Sequence, residues 1–272
     1  MRKRQIAAFQ KKVYAHYALH GRDFPWRHTK DPYRILVSEV MLQQTQADRV
    51  IPKYESFLAQ FPTARALATA PLSAVLRAWQ GLGYNRRAQL LHLCAQTVVA
   101  ECGGKFPKTH EELVALPGVG HYTAGAVMAF AYNLPVPIIE TNIRTVYLHH
   151  FFPNQSGVSD RALMPLIEET LDRENPCTWY AALMAYGVHL KKLHGNPSRR
   201  SAHHVPQKSF KGSDRQIRGA LLTLLAEADA PLVLSTIVRA LPHDTARIKA
   251  LLADLMREGL VTRTGRRYQL AD

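Results

Sequence analysis

Apolar residues recur at helical spacing through most of the first 190 residues, and this pattern limits the possible folds more than any other feature of the chain. Segments such as IPKYESFLAQF and RRAQLLHLCAQTVVA place apolar side chains three or four positions apart, and few alternating, strand-like runs interrupt them. Short breaks that contain proline or glycine separate the segments, as at 31–32, 61–62, 81–83 and 117–118. We therefore predict a mostly α-helical region from residue 4 to about residue 190.

The helical pattern fails in residues 191–212, KKLHGNPSRRSAHHVPQKSFKG, which are polar, contain proline and are strongly basic. We interpret this segment as a basic linker that also contacts a polyanion, with Arg199 and Arg200 as candidate contact residues. A solvated tether without fixed contacts is the alternative.

Residues 213–272 predict three helices followed by a β-hairpin, which is the order of a winged-helix module. Ser213 and Gln216 can cap the first helix, which extends to about Glu227. The segments PLVLSTIVRAL and DTARIKALLADLMREGL have the spacing of two more helices, and LVTRTGRRYQLA predicts two short strands around a Thr-Gly turn.

The basic side chains of this module indicate two possible DNA contacts. The third helix, around Arg247 and Lys249, can enter a major groove, and Arg263, Arg266 and Arg267 of the hairpin can meet phosphates. Many modules of this shape bind protein instead, and the sequence leaves both partners open.

The formal net charge of +14 makes a polyanion the natural partner, either nucleic acid or an anionic membrane surface. No stretch approaches 18 consecutive apolar residues, and the charged opening MRKRQIAAFQKK is not followed by an apolar segment. We therefore expect neither a transmembrane helix nor a signal peptide, and we expect a cytoplasmic, nucleoid-associated protein.

Cysteine and histidine spacing predicts neither a disulfide framework nor a metal site. Cys94, Cys102 and Cys177 lie at unrelated spacings and are too few for a four-thiolate site. Four histidines lack acidic or thiolate partners at ligand spacing, and we interpret them as packing or phosphate-facing residues: His149, His150, His203 and His204.

The segment LPGVGHYTAG, residues 116–125, forms a turn that leads directly into a helix. Two glycines around a small apolar residue let the backbone approach an anion closely, and the positive end of the following helix favours negative charge there. We predict that this turn binds a DNA phosphate through Gly118, Val119, Gly120 and His121. An ordinary tight turn between helices is the alternative.

Three segments, in this order, resemble the helix-hairpin-helix DNA glycosylases, and most closely the MutY-type adenine glycosylases: DPYRILVSEVMLQQTQADRVIPKYESFLAQFPT, GLGYNRRAQLLHLCAQTVVAECGGKFP and LPGVGHYTAGAV. The resemblance covers residues 5 to 190 and implies an all-α, two-lobed fold. One lobe spans about 28–135, and the other combines the N-terminus with 136–190. The family extrudes a damaged or mispaired base from DNA into the cleft between the lobes, and extrusion costs least for a mismatched base.

The resemblance assigns roles to four residues in the first two segments. Glu39 lies in the apolar segment SEVMLQQTQ, where partial desolvation would raise the pKa of its carboxyl group, and the matching glutamate of the family protonates the adenine ring. Gln43 and Gln44 match a loop that enters the DNA near the gap left by the extruded base. Tyr84 matches an aromatic residue that wedges between bases.

Glu140 departs from the family pattern, which has an aspartate twenty residues after Gly120. A carboxylate at this position stabilises the positive charge that develops on the sugar. The extra methylene would move the carboxylate by about 1.5 Å on an unchanged backbone, so we expect the start of the helix to compensate. Asn142 and Arg144 keep the family's spacing and are predicted to bind DNA.

Tyr122 occupies the position where glycosylases that also cleave the strand, such as endonuclease III, have a lysine. A phenol cannot form the Schiff base that this lysine forms. The resemblance therefore implies monofunctional hydrolysis that leaves an abasic site, with AP-lyase activity absent or weak. Lys105, Lys191 and Lys192 remain candidates for weak strand cleavage.

Two features of the adenine glycosylases are missing. The four-cysteine iron-sulfur loop that should begin near Lys191 is replaced by KKLHGNPSRR, so we expect no cofactor. The Nudix-like domain that reads 8-oxoguanine is replaced by the winged-helix module. We expect a monomer that acts on mismatched or damaged double-stranded DNA and removes adenine opposite 8-oxoguanine or guanine. Removal of thymine or uracil opposite guanine, or a non-catalytic DNA sensor, are the alternatives.

Overall fold

The computed structural model describes residues 2–206 and 209–272, and these are mostly helical, as the sequence predicts. Within them the helices and strands are α1 Lys3–His20, α2 Pro32–Leu42, α3 Ala47–Gln60, α4 Ala64–Thr69, α5 Leu72–Ala78, α6 Arg86–Glu101, α7 His110–Ala115, α8 His121–Tyr132, α9 Thr141–Phe151, α10 Asp160–Thr170, α11 Pro176–His194, α12 Asp214–Glu227, β1 Leu232–Val233, α13 Leu234–Ala240, α14 Thr245–Arg257, β2 Val261–Thr264 and β3 Arg267–Leu270. Short 3-10 turns occupy Pro25–Arg27 and Pro197–Arg200.

The chain divides into two compact units. The first contains the residues up to Leu36, Pro107–Ala115 and Val119–Pro206, and the second contains Val37–Phe106, Leu116–Gly118 and the residues after Pro206. These two units differ from the two expected lobes in two ways. The boundary between the units falls within α2, between Leu36 and Val37, and the C-terminal module belongs to the second unit.

The first unit is built around α11, which packs against α1, α8 and α9. Phe9 of α1 makes edge-on contacts with Tyr147, Phe151 and Trp179, with ring centroids 5.2 to 5.9 Å apart. Such pairs add to the stabilisation from buried apolar area. This aromatic cluster fixes α9, whose first turn carries candidate site residues, against α1 and α11.

The segment interpreted as a linker belongs in part to the first unit. Residues 191–194 continue α11, and Pro197–Arg200 form the 3-10 turn. Arg200 donates from Nη2 to the carbonyl of Leu148 at 3.0 Å and from Nη1 to the carbonyl of Phe152 at 2.8 Å. These bonds cap the C-terminal end of α9. The linker segment up to Arg200 is therefore held by fixed contacts, and Gln207 and Lys208 lie outside the described residues.

In the second unit, α3 to α6 pack around Trp79, which is fully buried and meets Phe57 edge-on at 5.8 Å. The apolar face of α6 contacts α4 and α5. Thr63 caps α4 by accepting a hydrogen bond from the Ala66 amide at 3.1 Å, as expected for a threonine at this position.

The C-terminal module has the predicted winged-helix order. Ser213 caps α12 by accepting from the Gln216 amide, and β2 pairs with β3 from Val261–Leu270 to Thr264–Arg267. A third strand, β1, completes an antiparallel sheet in the order β1-β3-β2. β1 was not predicted from the sequence, because a strand of two residues is too short to show a period.

Hydrogen bonds fix the C-terminal module to α5 and α6. Arg77 donates to the Ala226 carbonyl at 3.1 Å, Thr223 donates to Gln80 at 2.7 Å, and Gln89 donates to the Glu258 carbonyl at 2.8 Å. The module is therefore packed onto the helices of the second unit. Across the described residues, no helix is both long and apolar enough to cross a membrane.

Candidate active site and nucleic-acid interface

The glycine turn between α7 and α8 has the geometry that an anion-binding hairpin requires. Gly118 has φ +73°, and a Cβ at this position would lie 2.7 Å from Cβ of Leu90, so both backbone conformation and space demand glycine. Gly120 precedes α8, and within the described residues no side chain caps this helix. Gly118, Gly120 and His121 are exposed, whereas Val119 is buried. The exposed N-terminal end of α8 suits a phosphate, which stays a prediction.

Two further features frame this turn. Thr109 donates to the Glu112 side chain at 2.6 Å and accepts from the Glu112 backbone amide at 3.4 Å, so its hydroxyl caps the first turn of α7. The rings of His110 and His121 stack with centroids 5.3 Å apart. Tyr122 in the first turn of α8 is half-buried.

Glu140 is the N-cap of α9. Its Oε1 accepts hydrogen bonds from the backbone amides of Asn142 and Ile143, both at 2.7 Å. Glutamate is an unusual N-cap, because the shorter aspartate, asparagine and serine reach these amides more easily. The side chain therefore folds back onto the first turn of its own helix.

Asn142 connects Glu140 to a lysine of α11. Its amide nitrogen donates to Oε2 of Glu140 at 3.2 Å, and its Oδ1 accepts from Nζ of Lys191 at 2.7 Å. Close packing of the two helices makes this possible, because a Cβ at Gly187 would lie only 2.3 Å from the carbonyl oxygen of Asn142. The roles of Gly187 and Lys191 were not predicted from the sequence, in which the available signal was a glycine four residues before a lysine on an apolar helix.

Burial dominates the electrostatics of this cluster. It raises the pKa of the Glu140 carboxyl, against the opposing effect of the Asn142 and Ile143 amides and of the nearby Lys191 and Arg144 cations. Burial likewise lowers the pKa of Lys191, and the Glu140 carboxylate acts in the opposite direction. Each charge thus favours the ionised form of the other.

Arg144 forms a bidentate ion pair with Asp160, with Nε–Oδ1 and Nη2–Oδ2 both 2.7 Å. Burial alone would raise the pKa of Asp160, but the bonds from Arg144 hold it below its ordinary value. The pair joins α9 to α10, so this geometry supports a structural role for Arg144. The DNA contact of Arg144 stays a prediction. The DNA contacts of Arg200 and of the exposed Arg199 also stay predictions.

Glu39 lies on α2 in the apolar setting that its segment predicts. It is 4% exposed, and its neighbours Val37, Val40 and Met41 are buried. A carboxyl group in this setting is the type of group that retains a proton for transfer.

Arg87 organises the loops that carry the predicted DNA-inserting residues. Its Nη1 donates to the carbonyls of Val40 at 2.6 Å and Gln43 at 2.7 Å, and its Nη2 donates to the carbonyl of Gly83 at 3.1 Å. Burial lowers the pKa of Arg87 to about 10, although Tyr84 opposes this shift. The role of Arg87 was not predicted from the sequence, because an arginine after a glycine turn gives no sign of which carbonyls it meets.

Gln44 and Tyr84 both have left-handed backbones, with φ of 55° and 48°. This conformation costs side-chain-bearing residues about 1–3 kcal/mol and is concentrated at functional sites. Both residues line a groove of about 420 Å³ in the second unit, together with Gln43. The structure therefore brings together three predicted DNA-contacting residues.

The remaining candidates fall in separate units. Glu140, Asn142 and Tyr122 belong to the first unit, and Glu39 belongs to the second. A shared nucleotide between Glu39 and Glu140 stays a prediction. Among the residues described, no cluster of three or more histidine, cysteine or acidic side chains could hold a metal ion.

Comparison with known proteins gives a consistent family. A model described as "HhH-GPD superfamily base excision DNA repair protein" matches residues 37–170. The adenine DNA glycosylase of Mycobacterium tuberculosis is 36% identical over 274 residues, covering 92% of this chain and 89% of that protein. The adenine DNA glycosylase of Mycolicibacterium smegmatis is 34% identical over 262 residues, covering 89% of each chain. A solved thermostable thymine-DNA glycosylase aligns with a TM-score of 0.61 and 28% identity, covering 68% of this chain and 86% of that one.

Proposed function

Because this chain belongs to the HhH-GPD superfamily of base excision DNA repair proteins, we propose that it is a DNA glycosylase that removes adenine mispaired with guanine or 8-oxoguanine. The similarity to adenine DNA glycosylases over nine tenths of the chain supports this substrate. The observation that carries the proposed chemistry is the burial of Glu39 at 4% exposure on an apolar helix. A catalytic acid at neutral pH requires such an environment.

In the proposed reaction, Glu39 donates a proton to the adenine ring as the bond between the base nitrogen and C1′ of the deoxyribose breaks. The base leaves with the bonding electron pair, and C1′ becomes electron-poor. The Glu140 carboxylate stabilises that positive charge and orients a water molecule. The hydroxide part of this water adds to C1′, its proton goes to a carboxylate, and the products are free adenine and an abasic site.

The bonds around Glu140 support this role in the reaction. One carboxylate oxygen is held by two backbone amides, and the other accepts from the Asn142 side chain. A carboxylate fixed by three donors keeps its orientation without reorganisation, which favours transition-state stabilisation. Lys191, bonded to Asn142, supplies a positive charge that favours the ionised form.

We also propose that the reaction is monofunctional hydrolysis. Tyr122 stands where strand-cleaving relatives have a lysine, and a phenol cannot form a Schiff base with the sugar. Lys105 and Lys192 are exposed, while Lys191 is engaged with Asn142.

We propose that the enzyme works without an iron-sulfur cluster, as a monomer, in the compartment that holds the DNA. A [4Fe–4S] cluster takes four thiolates, and the chain has three cysteines. Cys94 is buried within α6 and Cys177 lies on α11, so the cysteines are not grouped in one loop. In place of a cluster loop, the segment after α11 forms the turn in which Arg200 caps α9.

A second candidate substrate is thymine or uracil opposite guanine. The structural similarity to a thymine-DNA glycosylase favours it, and Tyr122 is compatible with both activities. A non-catalytic DNA sensor is the third possibility and would keep DNA affinity without glycosidic cleavage.

One experiment separates these functions. Purified protein is incubated with duplexes that carry A·8-oxoguanine, A·G, T·G and U·G pairs, and alkali then converts abasic sites into strand breaks. We expect cleavage at adenine, and loss of this cleavage by about 100-fold or more in Glu39→Gln. Glu55→Gln, an exposed carboxylate of α3, is the matched control and should retain activity. Excision of thymine or uracil alone would support the second candidate, and no excision in any duplex would support the sensor.

A further inference from the structure

The groove in the second unit is lined from two parts of the chain. Gln43, Gln44 and Tyr84 come from the loops after α2 and before α6, whereas Arg215, Arg218 and Glu258 come from the C-terminal module. Arg86 and Arg87 also contribute, so four arginines and one glutamate line the groove. This excess of positive charge suits the phosphate backbone of nucleic acid.

Arg215, in the first turn of α12, makes direct contact with Tyr84. Its Nη1 donates a hydrogen bond to the Tyr84 hydroxyl, and its guanidinium carbon lies 5.4 Å from the centre of the tyrosine ring. The guanidinium carbon of Arg87 lies 5.5 Å from the same ring centre. Tyr84 is 38% exposed and has φ +48°, so two cation–π contacts support a strained, partly exposed aromatic residue.

The position of Arg215 follows from the packing of its module. The bonds from Arg77, Gln89 and Thr223 join α12 and the end of α14 to α5 and α6. Ser73 adds a bond to Asp272 at the end of the chain. Because this module is fixed to the unit that carries Tyr84, the contact between Arg215 and Tyr84 is part of the packed structure.

The DNA contact of α14 around Arg247 and Lys249 stays a prediction, and Arg247 already has partners within the module. Arg247 is paired with Asp214 at 2.7 Å and donates to the Gly212 carbonyl at 2.9 Å. The apolar face of α14, with Ile248, Leu252 and Leu255, is buried in the module. The module meets the groove through Arg215 and Arg218 of α12 and through Glu258 after α14, and Arg215 contacts Tyr84 directly.

We propose that the C-terminal module takes part in DNA binding through Arg215, a positioning residue that holds Tyr84 for insertion beside the extruded nucleotide, and that the groove receives the DNA strand at this point. An aromatic residue that stacks on bases binds best when its ring is already oriented, since less conformational freedom is then lost on binding. The proposal rests on the proposed function in taking as the substrate DNA with an extruded nucleotide, beside which Tyr84 inserts.

The test measures affinity for a duplex that contains a tetrahydrofuran abasic-site analogue, by fluorescence anisotropy at several salt concentrations. We expect Arg215→Ala to weaken binding about tenfold, in line with the loss of one well-placed stacking contact. Arg215→Lys, which retains a donor and a cation, should recover part of this affinity. The matched control is Arg239→Ala on α13, which removes an exposed charge elsewhere in the same module and should bind like the wild type.

Two further readouts separate positioning from a phosphate contact or from general stability. In a Tyr84→Ala background, Arg215→Ala should cause no further loss, because its effect passes through the tyrosine. With 2-aminopurine at the target position, saturating wild-type protein should increase fluorescence by unstacking the base, and Arg215→Ala should reduce this increase. The melting temperature of each variant is measured in parallel.

Several outcomes would overturn the proposal. The first is an additive loss of affinity in the double variant. The second is a smaller salt dependence of binding by Arg215→Ala with an unchanged fluorescence increase. The third is weaker binding by Lys249→Ala but not by Arg215→Ala. Because the abasic analogue has no base to excise, these results do not depend on whether the enzyme removes adenine. Failure of the adenine assay alone would leave the binding inference intact.

Discussion

The side-chain amide of Asn142 donates to Oε2 of Glu140 at 3.2 Å, and this bond ties the orientation of the predicted catalytic carboxylate to the packing of α9 against α11. Lys191 holds the other end of the same amide at 2.7 Å. The three residues form a chain of donors in which the lysine acts on the carboxylate through its charge and through Asn142. Substitution of a residue on α11 should therefore change the protonation of a residue at the start of α9.

We predict that Lys191→Met moves the acid limb of the pH–rate profile to higher pH. Burial already raises the pKa of Glu140 above that of an ordinary glutamate. As the pH falls, Glu140 therefore loses the ionised form that catalysis requires earlier, at a higher pH. Lys191 lowers this pKa, and its removal raises it further. Single-turnover rates measured across pH at saturating enzyme report the shift. Lys192→Met, an exposed neighbour, is the control; equal profiles for the two variants would contradict the coupling.

We predict that borohydride does not trap the wild-type protein on DNA efficiently, because Tyr122 offers no amine for a Schiff base. Tyr122→Lys should become trappable, since its amine would occupy the position used by strand-cleaving relatives. Denaturing electrophoresis of borohydride-treated reactions detects the covalent product. Strong trapping of the wild type would show that another lysine reaches the sugar. Lys105→Met, Lys191→Met and Lys192→Met, each tested singly, would then identify that lysine.

We predict that Arg87→Met lowers the free energy of unfolding by about 3 kcal/mol, because it leaves several part-buried carbonyls without their charged donor. Urea denaturation measures this loss. DNA affinity should fall as well, since the carbonyl of Gln43 and the turn before Tyr84 lose their common partner. Arg86→Met, at the exposed neighbouring position, should unfold like the wild type. Equal stability of both variants would mean that water replaces the guanidinium at these carbonyls.

We predict that Gly118→Ala destabilises the protein more than Gly104→Ala does. Both glycines have positive φ, at +73° and +81°, so alanine costs about 1–2 kcal/mol of backbone strain at either position. Only Gly118 also faces a neighbour, the Cβ of Leu90 at 2.7 Å, whereas a Cβ at Gly104 would meet nothing within 4 Å among the described residues. Thermal unfolding compares the two variants. Equal losses would show that the hairpin turn moves away from α6 without cost.

The sequence by itself determined the helical class, the hairpin turn and the order of the C-terminal module, because these depend on local period, capping and turn chemistry. Ser213 as the cap of α12 and the pairing of β2 with β3 follow from neighbours in the chain. The burial of Glu39 also follows from its segment, since an apolar helix carries its single carboxyl group into the core.

Only the tertiary structure decided which distant residues meet. Glu140 folds back as an N-cap, Lys191 reaches it through Asn142, and Arg215 contacts Tyr84 from 131 positions along the chain. Arg144 and Arg200, predicted to bind DNA, are engaged with Asp160 and with carbonyls at the end of α9. Long side chains such as arginine and lysine can reach partners on any neighbouring element, and the choice among them depends on helix packing, which sequence spacing does not encode.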